Sequence, residues 1–514
     1  MVQSPKMPRI WDQKGFFPFC LEPLTPVTIG SGEDLSPLDY VIRKQGESYV
    51  LHLVNTQDWL SDMHEKSDIQ NALNNGNILR LRVIMDEFLD EKVYSIGSIP
   101  IHLNALAEQV RGRIKNPQSL SKAEIQPFIR NDFTMTAFVP GSSLKGALST
   151  PLIDDLDHGK IKNSVNGSRL RNAYMYALKD MFGEITEHSM QALKVSDIPV
   201  PMGGTYLVAA KEVKRSIERQ STPKVPCEAL RPLSEGGRPL YGHLHMATVN
   251  GVPALLMPNG QKYSVERLNE ICNKFYSTRY YNEMANFYKL SHLQQVSRHL
   301  ESVTERIEHL KKGEFLLRLG HYSHIECVTV TQNDPKLKKG YGKTRTLADG
   351  ILPFGWVILR ICDKDEYVAQ LEKIEKEISK TCSEYRIRRE ERLVALEKRL
   401  QQETLKRQEI EKKRKEEEEA RAKEEEAKAR EAEFMASLSP EERLIYAVQQ
   451  PSATEAQSME LFSQIESLEG ESRLKAAQAL KDCWQRLKKW DGKLSKKQAV
   501  KVKVVMEILN ATSS

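Results

Sequence analysis

From Trp356 to Ser439 the chain contains neither glycine nor proline. No turn chemistry interrupts that stretch, and from residue 363 onward it reads as helix or as charged disorder. Tyr367, Leu371, Ile374, Ile378 and Tyr385 step by three, four or seven, as a coiled-coil seam does. Leu393, Leu396 and Leu400 continue it after a one-residue phase slip, and beyond Ile410 the seam ends. There Glu417–Arg421, Glu419–Lys423, Glu424–Lys428 and Glu426–Arg430 form i, i+4 pairs in the favourable order. This second half fits a solvated single helix or a disordered tract, and the composition leaves both open. As one helix, residues 363–436 would reach roughly 110 Å at the standard rise per residue.

The stretch divides the chain into a region 15–362, the long helix 363–436 and a small helical domain 437–514. Ser439-Pro440-Glu441-Glu442 is a capping box with proline at the first helical position. After Ser495 a valine-rich helix carries Lys496, Lys497, Lys501 and Lys503, a basic face for RNA or a protein unless it is merely solvated. No apolar run reaches the length of a membrane span, and Met1-Val2-Gln3-Ser4-Pro5-Lys6 does not read as a signal peptide. A cytoplasmic protein is expected. The seven cysteines are scattered without a C-x-x-C pair, so reduced thiols are expected and no metal or cofactor. The net charge of +6 is modest, but the acids concentrate between Glu366 and Glu433. The part before them is therefore more basic than the average.

Region 15–362 mixes strand and helix patterns, which makes the fold class α+β. Phe17, Phe19, Leu21 and Leu24 give a strand broken by Gly30-Ser31-Gly32, and residues 39–53 suggest a hairpin across Lys44-Gln45-Gly46-Glu47. Residues 58–120 read as helical, with Leu79, Val83, Met85, Phe88 and Leu89 as core positions. Phe133, Met135, Ala137 and Val139 suit a strand that feeds the Pro140 turn, with a helix from Leu144 to Leu156 behind it. Strand, glycine-rich turn and helix in this order suit an RRM-like (ferredoxin-like) unit with insertions. Ser216 to Pro239 reads as a long exposed loop. Tyr280, Tyr281, Phe287 and Tyr288 read as packed in a helical region.

Several elements suit a nucleic-acid backbone. Gly141, Ser142 and Ser143 stand at a helix start whose N–H groups attract anions, and Lys145 adds a cation. Gly30, Ser31 and Gly32 would let backbone amides approach a phosphate. Arg169 and Arg171 precede Tyr174 and Tyr176, aromatics better read as core. Gly340, Tyr341, Gly342, Lys343 and Arg345 combine close approach, charge and stacking, without the P-loop spacing. His321 and His324 beside Tyr322 permit a stand-alone, metal-independent endoribonuclease reading, although no poised acid–base pair is evident. His243 and His245 lack a third ligand for a metal.

Val139-Pro140-Gly141-Ser142-Ser143-Leu144-Lys145-Gly146-Ala147-Leu148 resembles the signature of the RAMP proteins of CRISPR effector complexes. Leu21 to Gly32 running into Leu35–Ile42, and Lys343-Thr344-Arg345-Thr346 followed by Pro353-Phe354-Gly355-Trp356-Val357, agree with it. That ordered set, over about residues 15–362, is similar to the terminal backbone subunits of type III-A (Csm) complexes. The resemblance implies an RRM-like RAMP core and a binding role, with no catalytic residues, in antiviral defence. It implies capping of the distal, 3′-guide end and support of crRNA maturation. The implied partners are crRNA, target RNA, the adjacent backbone RAMP subunit and a host nuclease that trims the crRNA. It also implies a thumb-like hairpin, for which residues 216–239 are the candidate. The extension after 362 departs from the usual family pattern.

Overall fold

The computed structural model describes residues 13–64, 66–157, 170–216, 225–330, 342–492 and 494–511, without the side chains of Pro117 and 170–175. Its centre is a five-stranded antiparallel sheet with the strand order 314–318, 356–361, 16–23, 240–246, 193–195. Alternation along Phe16–Pro23 explains why this strand is central. Phe19 and Leu21 enter the main core, under the helices Gly141–Asp157 and Val265–Glu283. Phe16 and Cys20 face the other way and are covered by Tyr367 and Ile374. Both faces of the sheet are therefore buried, and the strand is apolar at both parities.

That second face corrects two expectations. Tyr367, Leu371, Ile374 and Ile378 are a seam, but it packs on the sheet rather than on a partner helix. Arg360–Glu366, Arg238–Glu377 and Arg392–Asp58 ion pairs extend the attachment. The boundary at 362 is thus misplaced, and the compact units are Met1–Leu396 and Glu397–Ser514. The helix itself runs Lys364–Ser437. Past Arg392 its large apolar side chains, Leu393, Leu400, Leu405 and Ile410, are exposed.

In the first unit the hairpin forms between Tyr40–Gln45 and Ser48–Val54, closed by Gly46 at φ +62. Residues 56–94 are helical as expected, but Leu81, Ile84, Met85 and Leu89 make the core, while Val83 and Phe88 are exposed. Ser95–Pro100 is a strand that the helical reading missed. Only Phe138–Val139 form the strand before Pro140. Asn131 Oδ1 accepts from the amides of Phe133 and Thr134, tightening a turn that leaves Phe133 94% exposed. Cys227–Leu230 is a buried strand paired with Thr205–Val208, not an exposed loop. Glu228 anchors it, since its carboxylate accepts from Phe128 N, Thr205 Oγ1 and Arg130. The rest of the thumb candidate includes residues 217–224, outside the described set.

Among the described residues the second unit holds four helices after the long one: Pro440–Gln449, Glu455–Gln464, Gly470–Arg486 and Lys496–Asn510. They enclose a separate core around Val448, Leu461, Leu480, Trp484 and Val505. The Ser439–Glu442 capping box is present, and Thr454–Gln457 forms a second.

Candidate nucleic-acid interface

The chain leaves the central strand at Pro23 and is immediately clamped. The amides of Leu24 and Thr25 donate to Trp356 O, and Trp356 N donates to Thr25 Oγ1. His321 N donates to Thr28 O, and Gly320 (φ +88) lies so close that a Cβ would stand 2.2 Å from that oxygen. This clamp fixes Gly30 beside the segment Gly320–Ser323. The motif helix completes a third wall, because Ser143, Gly146, Ala147 and Thr150 share one face by helical spacing. Together these residues line a cavity of about 410 Å³. Two glycine elements far apart in sequence, and His321, thus meet in one place.

The glycines of the motif divide into two kinds. At Gly141 a Cβ would stand 2.2 Å from Val195 O, so folding requires glycine there. At Gly146 a Cβ would meet nothing within 4 Å, and at Gly30 nothing nearer than Pro127 O at 3.6 Å. Glycine inside a helix costs about 1 kcal/mol relative to alanine. Nothing within the described chain offsets that cost at Gly146, which faces the cavity.

The expected anion cradle at the helix start is corrected. Gly141 N donates to Asp197 Oδ1 at 2.7 Å, and Ser143 N donates to Pro140 O at 3.0 Å. An internal carboxylate therefore already occupies the position assigned to a phosphate. Ser142 is exposed. Lys145 is half-buried, and burial pushes its ammonium pKa down. Its charge acts on His188, whose pKa falls through burial first and Lys145 second. It makes no ion pair among the described residues.

Arg345 is the clearest correction. It is 2% exposed, with Nε on Glu283 Oε1 at 2.7 Å and Nη2 on Glu326 Oε1 at 2.8 Å. Its guanidinium lies over the Phe287 ring. Arg318, in the cavity wall, pairs with Glu283 Oε2 at 2.7 Å. Burial would raise the Glu283 carboxyl, yet Arg318 and Arg345 hold it down to about 2. These arginines neutralise buried carboxylates and have no capacity left for RNA. Gly342 and Lys343 are exposed at the adjoining strand end, where Arg215 N donates to Lys343 O. Gly340, Tyr341 and Arg169 lie outside the described residues, as does the Arg171 side chain. Gly32 and Ser31 are exposed, and Ser31 Oγ accepts from Glu33 N.

Tyr280, Phe287 and Tyr288 are packed, whereas Tyr281 is 41% and Tyr176 67% exposed, against the core reading of both. His321 is exposed at the cavity, and no carboxylate is bonded to it among the described residues. Among the described residues no cluster could hold a metal ion. A larger cavity, about 630 Å³, lies against Ser95–Ser98, Phe133 and Tyr385 and contains none of the motif residues. Sequence reasoning missed Gly146 and Thr150 as cavity residues, although their i+3 and i+7 spacing from Ser143 was visible.

The RAMP superfamily model matches residues 20–320, more than half of the chain, so this protein belongs to the RAMP superfamily. Within it the chain resembles Csm5. A curated relative, the CRISPR system Cms protein Csm5 of Methanocaldococcus jannaschii, is 32% identical over 136 residues. That match spans 26% of this chain and 29% of the relative. A chain in the cryo-EM structure of a Csm–crRNA–target RNA ternary complex is 22% identical, with a TM-score of 0.48, covering 67% of this chain and 100% of that one. The crystal structure of T. onnurineus Csm5 is 21% identical, with a TM-score of 0.46, covering 66% of this chain and 99% of that one.

Proposed function

We propose that this chain is a non-catalytic, crRNA-binding subunit of a type III-A CRISPR effector complex, capping the distal end where the guide's 3′ portion lies. The carrying observation is the cavity that joins Gly30 to the motif helix at Ser143 and Gly146. A helical glycine open to that cavity suits a backbone that must be approached closely. Family membership and the Csm5 relative support the assignment to a Csm complex. The central sheet supports an RRM-like reading, in which 356–361, 16–23, 240–246 and 193–195 give the ferredoxin-like order and 314–318 is an added edge strand. Lys145 and Lys343 supply mobile charge near the strand and helix ends. Target RNA, the adjacent backbone subunit and a trimming host nuclease are the further partners, in a cytoplasmic complex that supports crRNA maturation.

The test is Gly146→Ala, assayed for crRNA affinity and for melting temperature. The added methyl enters the cavity and favours the helix, so affinity should fall about tenfold, or ~1.4 kcal/mol, while the protein melts no lower. Unchanged affinity would show that the cavity does not hold the RNA. Incubating the pure protein with labelled precursor RNA tests the rival reading; specific cleavage lost in His321→Ala would establish an endoribonuclease instead.

A further inference from the structure

The C-terminal helical domain has a strongly uneven charge. Between Lys481 and Lys503 the sequence holds nine cationic residues and two carboxylates, whereas Pro440 to Glu471 holds seven carboxylates and one arginine. The structure shows which of these cations are already committed. Lys489 pairs with Glu455, and Lys503 pairs with Glu507 at 3.9 Å. Lys501 lies against Met459 and the Phe462 ring. Lys488, Lys496 and Lys497 are exposed and make no ion pair among the described residues.

These three lysines stand on a fixed frame. Trp490 is 5% exposed and lies 6.4 Å from the Trp484 ring, so the loop after Arg486 is anchored in the core. Gln498 Nε2 donates to Lys489 O at 3.2 Å, and Ser495 Oγ accepts from Gln498 N at 3.3 Å. The loop and the next helix start are thereby tied together. Lys488 adopts φ +58, a conformation that a long side chain adopts at a cost. Lys496 and Lys497 occupy the first turn of their helix, where a cation opposes the dipole. The dipole therefore gives folding nothing for the cations at Lys496 and Lys497, whereas Lys488, just past the end of the helix Gly470–Arg486, stands where a cation is favourable.

We propose that Lys488, Lys496 and Lys497 form a second RNA-binding surface, one that holds phosphates of a single strand without reading its sequence. Spaced ammonium groups on a rigid frame suit phosphates as point charges. The surface is separate from the cavity of the RAMP region in residues and in chemistry. Its contribution to binding is electrostatic, whereas that of Gly146 is steric.

The experiment uses the full chain and a fluorescein-labelled oligouridylate, titrated by anisotropy between about 50 and 200 mM salt. Relative to the unaltered protein, the triple variant Lys488→Glu, Lys496→Glu, Lys497→Glu should bind more than tenfold more weakly. Its slope of log affinity against log salt should be shallower by about two, as expected for three lost phosphate contacts. The triple Lys→Gln variant, melting as the parent does, should show the same loss of slope. Gly146→Ala should lower affinity with its slope unchanged, so the two surfaces fail independently. An unchanged slope in both triple variants would overturn the proposal. So would normal RNA binding combined with loss of co-purification with other effector subunits, which would make the face a protein contact.

Discussion

At the scale of single residues, charge in the sequence and charge free to act are different quantities. Arg345 sits in a cationic, glycine-rich run, yet Glu283 and Glu326 consume its guanidinium. Removing one member of a buried ionic cluster strands its partners, at about 3–5 kcal/mol. Arg345→Ala should therefore lower stability by at least about 3 kcal/mol in denaturant titrations. Lys343→Ala should leave stability unchanged and flatten the salt dependence of RNA binding by about one ion. A stable Arg345→Ala protein with weakened RNA binding would reverse this assignment. His102 offers a pH test. Its hydrogen bond to Asp349, at 2.7 Å, raises its pKa, with burial opposing. A raised folded pKa adds stability that is complete below the unfolded value, about 6.5, and is lost as pH rises through the folded value. The melting temperature should fall as the pH rises above about 6.5, and His102→Gln should remove that fall; an identical pH profile in the variant would show that the pair is not responsible.

At the scale of elements, the sequence showed which face of a helix is apolar but not what would cover it. Tyr367 and Ile374 mark a true seam, and the sheet face of Phe16, Cys20 and Tyr241 accepts it. A chain ending at Cys362 should expose that face and become poorly soluble or lower melting. A chain ending at Leu396 should keep the melting temperature of the RAMP region; equal behaviour of the two truncations in light scattering and calorimetry would show the helix to be dispensable there. Local signals were legible where the chemistry is local, as in the Gly46 hairpin and the Ser439 capping box. They failed where a long-range partner decides. Ser95–Pro100 is a strand only because Val50–Val54 pairs with it. Glu228 is buried only because Arg130, Phe128 and Thr205 converge on it. The cavity was half legible: Gly30 and Ser143 were visible as motif residues, but Gly320 joins them through tertiary contact alone.

At the scale of the whole molecule, the RAMP region is proposed to grip the guide RNA at the distal end of a type III-A complex. The most direct measurement is to purify the effector assembled with this chain, and then without it, and map the 3′ ends of the retained guide RNA after nuclease treatment. A guide whose 3′ portion is protected only when this chain is present, and trimmed by several nucleotides more when Gly146→Ala is used, is the expected result. Equal 3′ protection with and without the chain would contradict it.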